Sequence, residues 1–159
     1  MVKHRHTLKK KEAKRMVEIL EQTMSCTLKP GTVEIVKTPP YEFLLFDGKP
    51  DAIKYANQVF LSLRGLMKYH PQKRWVTIDM GAVSYIANGA DVMAPGIIDA
   101  DTDIQQENIV WIRDEKNNHP LAVGISLMTG SEMIAKKEGK AVKVIHYVGD
   151  DIWNIGESL

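Results

Sequence analysis

The chain has a single cysteine, Cys26, in 159 residues. That excludes an internal disulfide and removes the thiolates on which a structural zinc site draws. Cys26 itself reads as a small apolar side chain rather than a reactive thiol. No apolar run approaches the ~18 residues of a bilayer-spanning helix. The Lys/His/Arg-rich start MVKHRH has no apolar stretch behind it, so no secretory signal is read. The expectation is a soluble, cytoplasmic protein without a membrane partner.

Chemical signatures are missing too. There is no Gly-rich phosphate loop ending in Lys-Ser/Thr, no dinucleotide fingerprint after a strand and no nucleophile elbow. His4, His6, His70, His119 and His146 are scattered along the chain, so no metal or acid–base constellation is read from them. The acids Asp99, Asp101, Asp103 and Glu107 alternate but lack the glycine and terminal glutamate of a calcium loop. The reading is therefore not an enzyme, with no cofactor and no metal.

What the chain does have is lopsided charge. Net charge is +1, yet residues 1–74 hold 15 Lys/Arg against 7 Asp/Glu (+8) and residues 75–159 hold 6 against 13 (−7). A basic half of this size attracts a polyanion. Within it, residues 1–6 are expected to be mobile. Thr7 is placed to cap an amphipathic helix in which Ala13, Met16, Val17, Leu20 and Met24 recur at three and four. The other face carries Lys9, Lys10, Lys11, Lys14 and Arg15, interrupted by Glu12. Such a face is either simply solvated or contacts phosphates. Thr32 to Lys37 and Tyr41 to Phe46 read as strands, Asp47-Gly48 as a tight turn, and Asn57 to Tyr69 as a helix with Val59, Leu63, Leu66 and Met67 on one face. The polar, proline-bearing stretch His70-Pro71-Gln72-Lys73-Arg74 marks a boundary between an N-terminal α+β domain, 1–73, and a second domain, 74–159.

The second domain is organised around Trp75 to Ile98. Trp75 to Asp79 alternates as a half-buried strand, and Met80, Val83, Ile86 and Ala87 fall on one face of a short helix. Gly89 suits a left-handed helix end, and Pro95-Gly96 suits a turn with glycine at φ > 0. Backbone N–H groups at Gly81, Gly89, Ala90 and Gly96 would then cluster, an arrangement that can receive a phosphate or a nucleotide edge. Asp79 and Asp91 read as turn caps. Asn108 to Arg113 and Leu121 to Leu127 form a hairpin, Ser131 caps a helical turn, and Val142 to Val148 with Ile152 to Ile155 form a second hairpin. Short strands at this spacing suggest a small barrel.

The Gly81-Ala82 pair, Gly89-Ala90-Asp91-Val92, Pro95-Gly96-Ile97 and the C-terminal Val144-Ile145-His146-Tyr147 and Asp150-Asp151-Ile152-Trp153 resemble the PUA domain, an RNA-binding β-barrel named for pseudouridine synthase and archaeosine transglycosylase. Over essentially its whole length the chain resembles the malignant T-cell-amplified sequence proteins, their archaeal members and ligatin, which carry a small domain ahead of the PUA domain. The resemblance implies an α+β fold with a PUA-type pseudo-barrel. It also implies RNA binding, to tRNA or rRNA and a single-stranded RNA end, in translation initiation or ribosome recycling on the small ribosomal subunit. In eukaryotes a translation-factor partner, density-regulated protein, assists. Carried over by position, the RNA-binding residues are Gly81, Ala82, Gly89, Ala90, Asp91, Pro95, Gly96 and Ile97, with His146 and Tyr147 beside the groove. Gly89 and Gly96 are equally well read as demands of backbone geometry. Because the PUA half is acidic, Lys9, Lys10, Lys14, Arg15, Lys73 and Arg74, with Lys3, Arg5 and Lys68, are expected to hold the RNA phosphates. The alternatives are an adaptor that docks its acidic barrel on a basic partner protein, and an RNA-modification enzyme, which would need a catalytic carboxylate not found here.

Overall fold

The computed structural model describes residues 3–159; Met1 and Val2, part of the stretch expected to be mobile, lie outside the described residues. Two compact units are present: one runs to Gln72 and takes in Asn154–Leu159, and the other spans Lys73–Trp153. Among the described residues no helix is long and apolar enough to cross a membrane.

The first unit is an antiparallel sheet of five strands in the order β1-β2-β3-β4-β5, formed by Lys3–Thr7, Val33–Thr38, Tyr41–Phe46, Lys49–Tyr55 and Gln58–Leu61. Helix α1 (Lys10–Met24) buries Met16, Leu20 and Met24, as its apolar spacing requires, and α2 (Leu63–Tyr69) buries Leu63 and Leu66. Phe43, Phe46, Phe60 and Ile53 on the strands are fully buried.

Three sequence expectations fail in this unit. Residues 3–7 are not a mobile tail: Thr7 pairs with Glu34 and His6 with Ile35, and the Leu8 amide continues the ladder to the Val33 carbonyl at 2.9 Å. Thr7 is thus a strand residue, and α1 starts after Lys9 without a side-chain cap. The helix over 57–69 exists only from Leu63. Ala56 and Asn57, at φ +49° and +62°, make the tight two-residue turn of the β4–β5 hairpin, in which Tyr55 faces Gln58 and Lys54 faces Val59. Ser62 then caps α2 by accepting from the Gly65 amide at 3.2 Å.

The second unit is a six-stranded, nearly closed barrel-like sheet in the order β7-β11-β10-β9-β6-β8. Its strands are β6 (Trp75–Ile78), β7 (Val92–Met93), β8 (Ile97–Ala100), β9 (Ile109–Asp114), β10 (Pro120–Ser126) and β11 (Lys140–Tyr147). All neighbours are antiparallel except β6 and β9, which run parallel with Val76 opposite Ile112. Val76, Ile78, Ile86, Val92, Ile97, Ile112, Met133 and Val142 form its core.

Helix α3 (Val83–Ala87) is shorter than the periodicity predicts. Met80, assigned to its apolar face, precedes the helix and is 48% exposed. Helix α4 (Gly130–Lys136) is capped by Thr129 rather than Ser131: the Glu132 amide donates to Thr129 Oγ1 at 3.2 Å, and the Thr129 amide donates back to the Glu132 carboxylate at 3.0 Å. The second hairpin is absent, because Asp151–Glu157 is a helix, α5. Asp150 starts it, accepting the Trp153 amide at 2.8 Å and the Tyr147 amide at 2.9 Å. An acidic pair ahead of an apolar run is a helix start as well as a turn.

Candidate nucleic-acid interface

Three chain segments of the second unit converge. The Asp79 amide donates to the Gly96 carbonyl at 3.0 Å, which ties the end of β6 to the turn before β8. The Ala94 amide donates to the Gly139 carbonyl at 2.8 Å, and the Val144 amide donates to Asp91 Oδ1 at 2.9 Å, which bring in β11. Residues 79–82, 89–97 and 137–147 therefore form one neighbourhood, with Gly81, Ala82, Gly89, Ala90, Asp91, Pro95, Gly96, Ile97 and Tyr147 all in it.

The expected nest of free amides is not what these turns provide. Gly89 N–H donates to Ile86 O and Ala90 N–H to Tyr85 O, both at 3.0 Å, closing the end of α3; Ala82 N–H donates to Asp79 Oδ1 at 3.0 Å. Of the four amides expected to cluster, at Gly81, Gly89, Ala90 and Gly96, those of Gly89 and Ala90 are thus spent on the fold, and anion capture by these two is corrected. Gly89 does have the left-handed conformation, φ +94°, and a β-carbon there would lie 2.6 Å from the Tyr147 ring. Conformation and close approach both require glycine. Gly96 differs: it ends a 3₁₀ turn, Ala94–Gly96, and is not among the positive-φ glycines. Proline at the first or second position of that turn supplies its φ, so glycine is not demanded by a left-handed residue there.

His146 is not at a groove. It is 1% exposed, with Nδ1 3.0 Å from Asp150 Oδ2, a hydrogen-bonded core histidine. Burial pushes the Asp150 carboxyl up, but His146 and the amides of Trp153 and Tyr147 together hold it below the usual carboxylate range. Ile97 is likewise buried. Tyr147 packs beneath Gly89 and shapes the turn from below.

The neighbourhood presents outward both apolar and charged side chains. Tyr85 on α3 is 68% exposed, and Met80 and Met93 are about half exposed at 48% and 49%. Met93 on the edge strand β7 pairs with Lys140, whose ammonium lies 2.9 Å from Asp91; Lys137 Nζ donates to the Ile97 carbonyl at 3.2 Å. Burial raises the Asp91 pKa, yet Lys140, the Val144 amide and Lys143 outweigh it and keep the carboxyl below its ordinary value. Four of the six cations in residues 75–159 lie between Lys136 and Lys143, with exposed Glu138 among them and Lys136 paired with Glu132 at 2.7 Å. An acidic unit thus carries a local positive edge beside exposed side chains able to stack.

The N-terminal cations fare unevenly. Lys9, Lys10, Lys11, Lys14 and Arg15 are all exposed along α1, and Lys14 is 4.0 Å from Glu18, a loose surface pair. Lys73 is exposed and 3.4 Å from Asp103. Arg74 is committed to the fold: its amide donates to Asp101 Oδ2 at 2.7 Å and Nη1 to the Ile109 carbonyl at 3.4 Å. Burial lowers its pKa against the opposing pull of Asp101. The acidic loop correspondingly spends Asp101 on main-chain donors, Asp103 N–H included at 3.0 Å. Among the described residues no cluster of three or more metal-ligating side chains occurs.

Comparison with known proteins gives this geometry its family. The model of the PUA domain matches residues 74–148, and that of a domain of unknown function, DUF1947, matches residues 4–69. Uncharacterized protein MJ1432 of Methanocaldococcus jannaschii is 43% identical over 96% of this chain and 97% of its own. The structure of a conserved PUA domain protein from Thermoplasma acidophilum superposes with TM-score 0.84 at 30% identity, over 96% of this chain and 99% of that one. The chain belongs to the PUA-domain family of the malignant T-cell-amplified sequence proteins. Translation machinery-associated protein 20 of Saccharomyces cerevisiae is similar as well, 26% identical over 93% of this chain and 86% of its own. An RNA-binding role linked to translation is what this membership supports.

Within the PUA domain, Tyr85, Met80, Met93 and the lysines at 137, 140 and 143 were not legible as site residues. Tyr85 and Met93 belong to an amphipathic segment and a two-residue strand whose outward faces cannot be assigned from spacing alone. The lysine cluster could have been found by taking charge in short windows rather than by halves.

Proposed function

We propose that this protein binds RNA by dividing the work between its units. The PUA surface around Tyr85, Met80 and Met93 takes the unpaired end of a tRNA or rRNA, with Lys137, Lys140 and Lys143 answering its phosphates. The cationic face of α1, from Lys9 to Arg15, contacts backbone phosphates of the same RNA. The setting is translation initiation or ribosome recycling on the small subunit, in company with a translation-factor protein.

The observation that carries the reading is the coincidence of a 68% exposed tyrosine with a lysine-bearing strand edge at the glycine turns. An unpaired nucleotide offers a π face, base edges and one charge, and such an edge meets all of them. Phosphate contacts add affinity without sequence, which suits the featureless cationic helix. A gel shift with one tRNA, with and without its CCA end, tests the proposal. Tighter binding of the CCA-bearing form is expected. Equal binding points instead to an adaptor that docks on protein.

A further inference from the structure

A second cationic site lies in the first unit, away from α1. A pocket of about 370 Å³ is lined by Lys49, Asp51, Arg64, Lys68, Gly156 and Glu157, all of the first unit. Its construction follows from two short elements. Arg64 and Lys68 stand four apart on α2 and so share a face. The hydroxyl of Ser62, the residue capping α2, donates to the Pro50 carbonyl at 2.9 Å, which draws the start of β4, and Lys49 with it, to the same place.

The charges in this pocket are not equally committed. Lys68 lies 2.8 Å from Asp51, which is buried and also accepts the Tyr69 hydroxyl at 2.7 Å, so that pair is fixed. Arg64 meets the Glu157 carboxylate at 2.8 Å, but the Glu157 side chain is 61% exposed. The Arg64 side chain is mostly covered, at 23% exposure, so the exposed Glu157 carboxylate is the mobile partner of the pair. Lys49 has no ion pair among the described residues. Arg64 is also held in place: a β-carbon on Gly156 would stand 2.6 Å from its Nη1, so the backbone of α5 passes directly against the guanidinium. A guanidinium fixed by packing loses little side-chain freedom when it grips an oxyanion in two-pronged fashion.

We propose that this pocket is an RNA phosphate site in which Glu157 is a resident stand-in for the ligand. Its carboxylate occupies the place of one phosphate oxygen edge on Arg64 and swings out when a phosphodiester enters between Arg64 and Lys49. The inference rests on the reading that the chain binds RNA, and adds a contact that neither the PUA surface nor α1 supplies.

The test is RNA affinity of the full chain against salt, with thermal unfolding of each variant alongside and inorganic pyrophosphate as a second probe. Glu157→Gln is expected to bind RNA about two- to fivefold tighter, since the competing pair is removed. Lys49→Gln is expected to bind more weakly and to lower the slope of log affinity against log salt by about 0.7, one phosphate contact on a single strand. Arg64→Lys keeps the charge but loses the fork, and is expected to weaken RNA binding several-fold with the slope nearly kept. RNA protection of the Arg64 side-chain N–H signal, seen by NMR and absent with pyrophosphate, assigns the site to the polymer. Protection by pyrophosphate alone overturns the RNA assignment. Wild-type RNA binding unaltered by Glu157→Gln and Lys49→Gln overturns this inference and leaves the proposed function standing. No RNA binding by the wild type overturns both.

Discussion

The two units of this chain handle charge in opposite ways. In the first, positive charge is abundant: it runs along the exposed face of α1 from Lys9 to Arg15 and recurs at Lys49, Arg64 and Lys68. In the second, positive charge is scarce and the net balance negative, yet the lysines gather at the one place where Tyr85, Met80 and Met93 are exposed. A smeared charge attracts any polyanion, whereas a local charge beside a stacking surface can prefer one chemical form of it. On the proposed reading, net charge by domain shows where an RNA is first attracted and not where it is recognised.

The comparison breaks most visibly at Gly89. Gly89→Val forces a branched side chain onto φ +94° and into the Tyr147 ring. A loss of about 2–4 kcal/mol in the second unit's stability is expected, read by denaturant unfolding, together with loss of any preference for an RNA end. Gly96→Ala, which lacks the left-handed conformation and would meet the Ala82 methyl at 3.4 Å and Asp79 Oδ2 at 3.9 Å, is expected to cost far less. Equal costs for the two would contradict the assignment of Gly89 as the constrained turn.

Tyr85→Ala should leave the unfolding curve in place, because the ring is exposed, and weaken binding of RNA carrying an unpaired end by ~1–3 kcal/mol, the contribution of one stacked base. The double change Lys10→Glu/Lys14→Glu should do the converse. Fluorescence anisotropy across a salt series is expected to show a shallower slope, by about 0.7 per lost contact, and an unchanged ratio between RNA forms. An unaltered slope would remove α1 from the interface.

Acid should act through the second unit before it acts on α1, which is rich in lysine. Asp150 and Asp114 are held below the ordinary carboxylate value, against the upward push of burial: Asp150 by His146 and two amides, Asp114 by the amides of Asn117, His119 and Lys116. The unfolded chain therefore binds more protons at low pH. The stability they contribute is fully present above the unfolded carboxylate pKa of about 3.9 and is lost as pH falls through the lower folded values. Urea midpoints between pH 6 and 3 check this, and Asp150→Asn is expected to flatten the fall. The smallest effect concerns Cys26, whose thiol is pushed up to about 11 by burial and then by Glu21. Alkylation at pH 7.5 should be slow in the folded protein and fast in urea.

Much of the fold was legible because its signals were local. The apolar spacing of α1, the apolar and aromatic run of Tyr41–Phe46 and the left-handed Gly89 each depend on a few neighbouring residues. The errors arose where two readings share one pattern. Val59, Leu63 and Leu66 repeat helically by accident of a hairpin running into a short helix, and the positive-φ turn at Ala56-Asn57 lacks the glycine that usually announces it. Asp150-Asp151 serves a turn or a helix start equally well; Asp150 makes it a helix start by accepting the Trp153 amide while also meeting the Tyr147 amide and buried His146. Residues 79–97 could be named as the centre of the candidate site from their turn residues and the resemblance they carry. That Met93 and Asp91 meet the lysine-bearing strand β11 depends on pairing across some fifty residues, which no local pattern records, whereas the Gly89 and Ala90 amides close locally on Ile86 and Tyr85.

One measurement bears most directly on the division of labour: the affinity ratio of wild-type protein for a tRNA with its CCA end over the same tRNA without it, repeated for Tyr85→Ala and for Lys10→Glu/Lys14→Glu. A ratio of about ten or more in the wild type, near one for Tyr85→Ala and preserved in the lysine variant, is the predicted outcome. A wild-type ratio of one, or a preference that vanishes with the lysines and survives loss of the tyrosine, would contradict it.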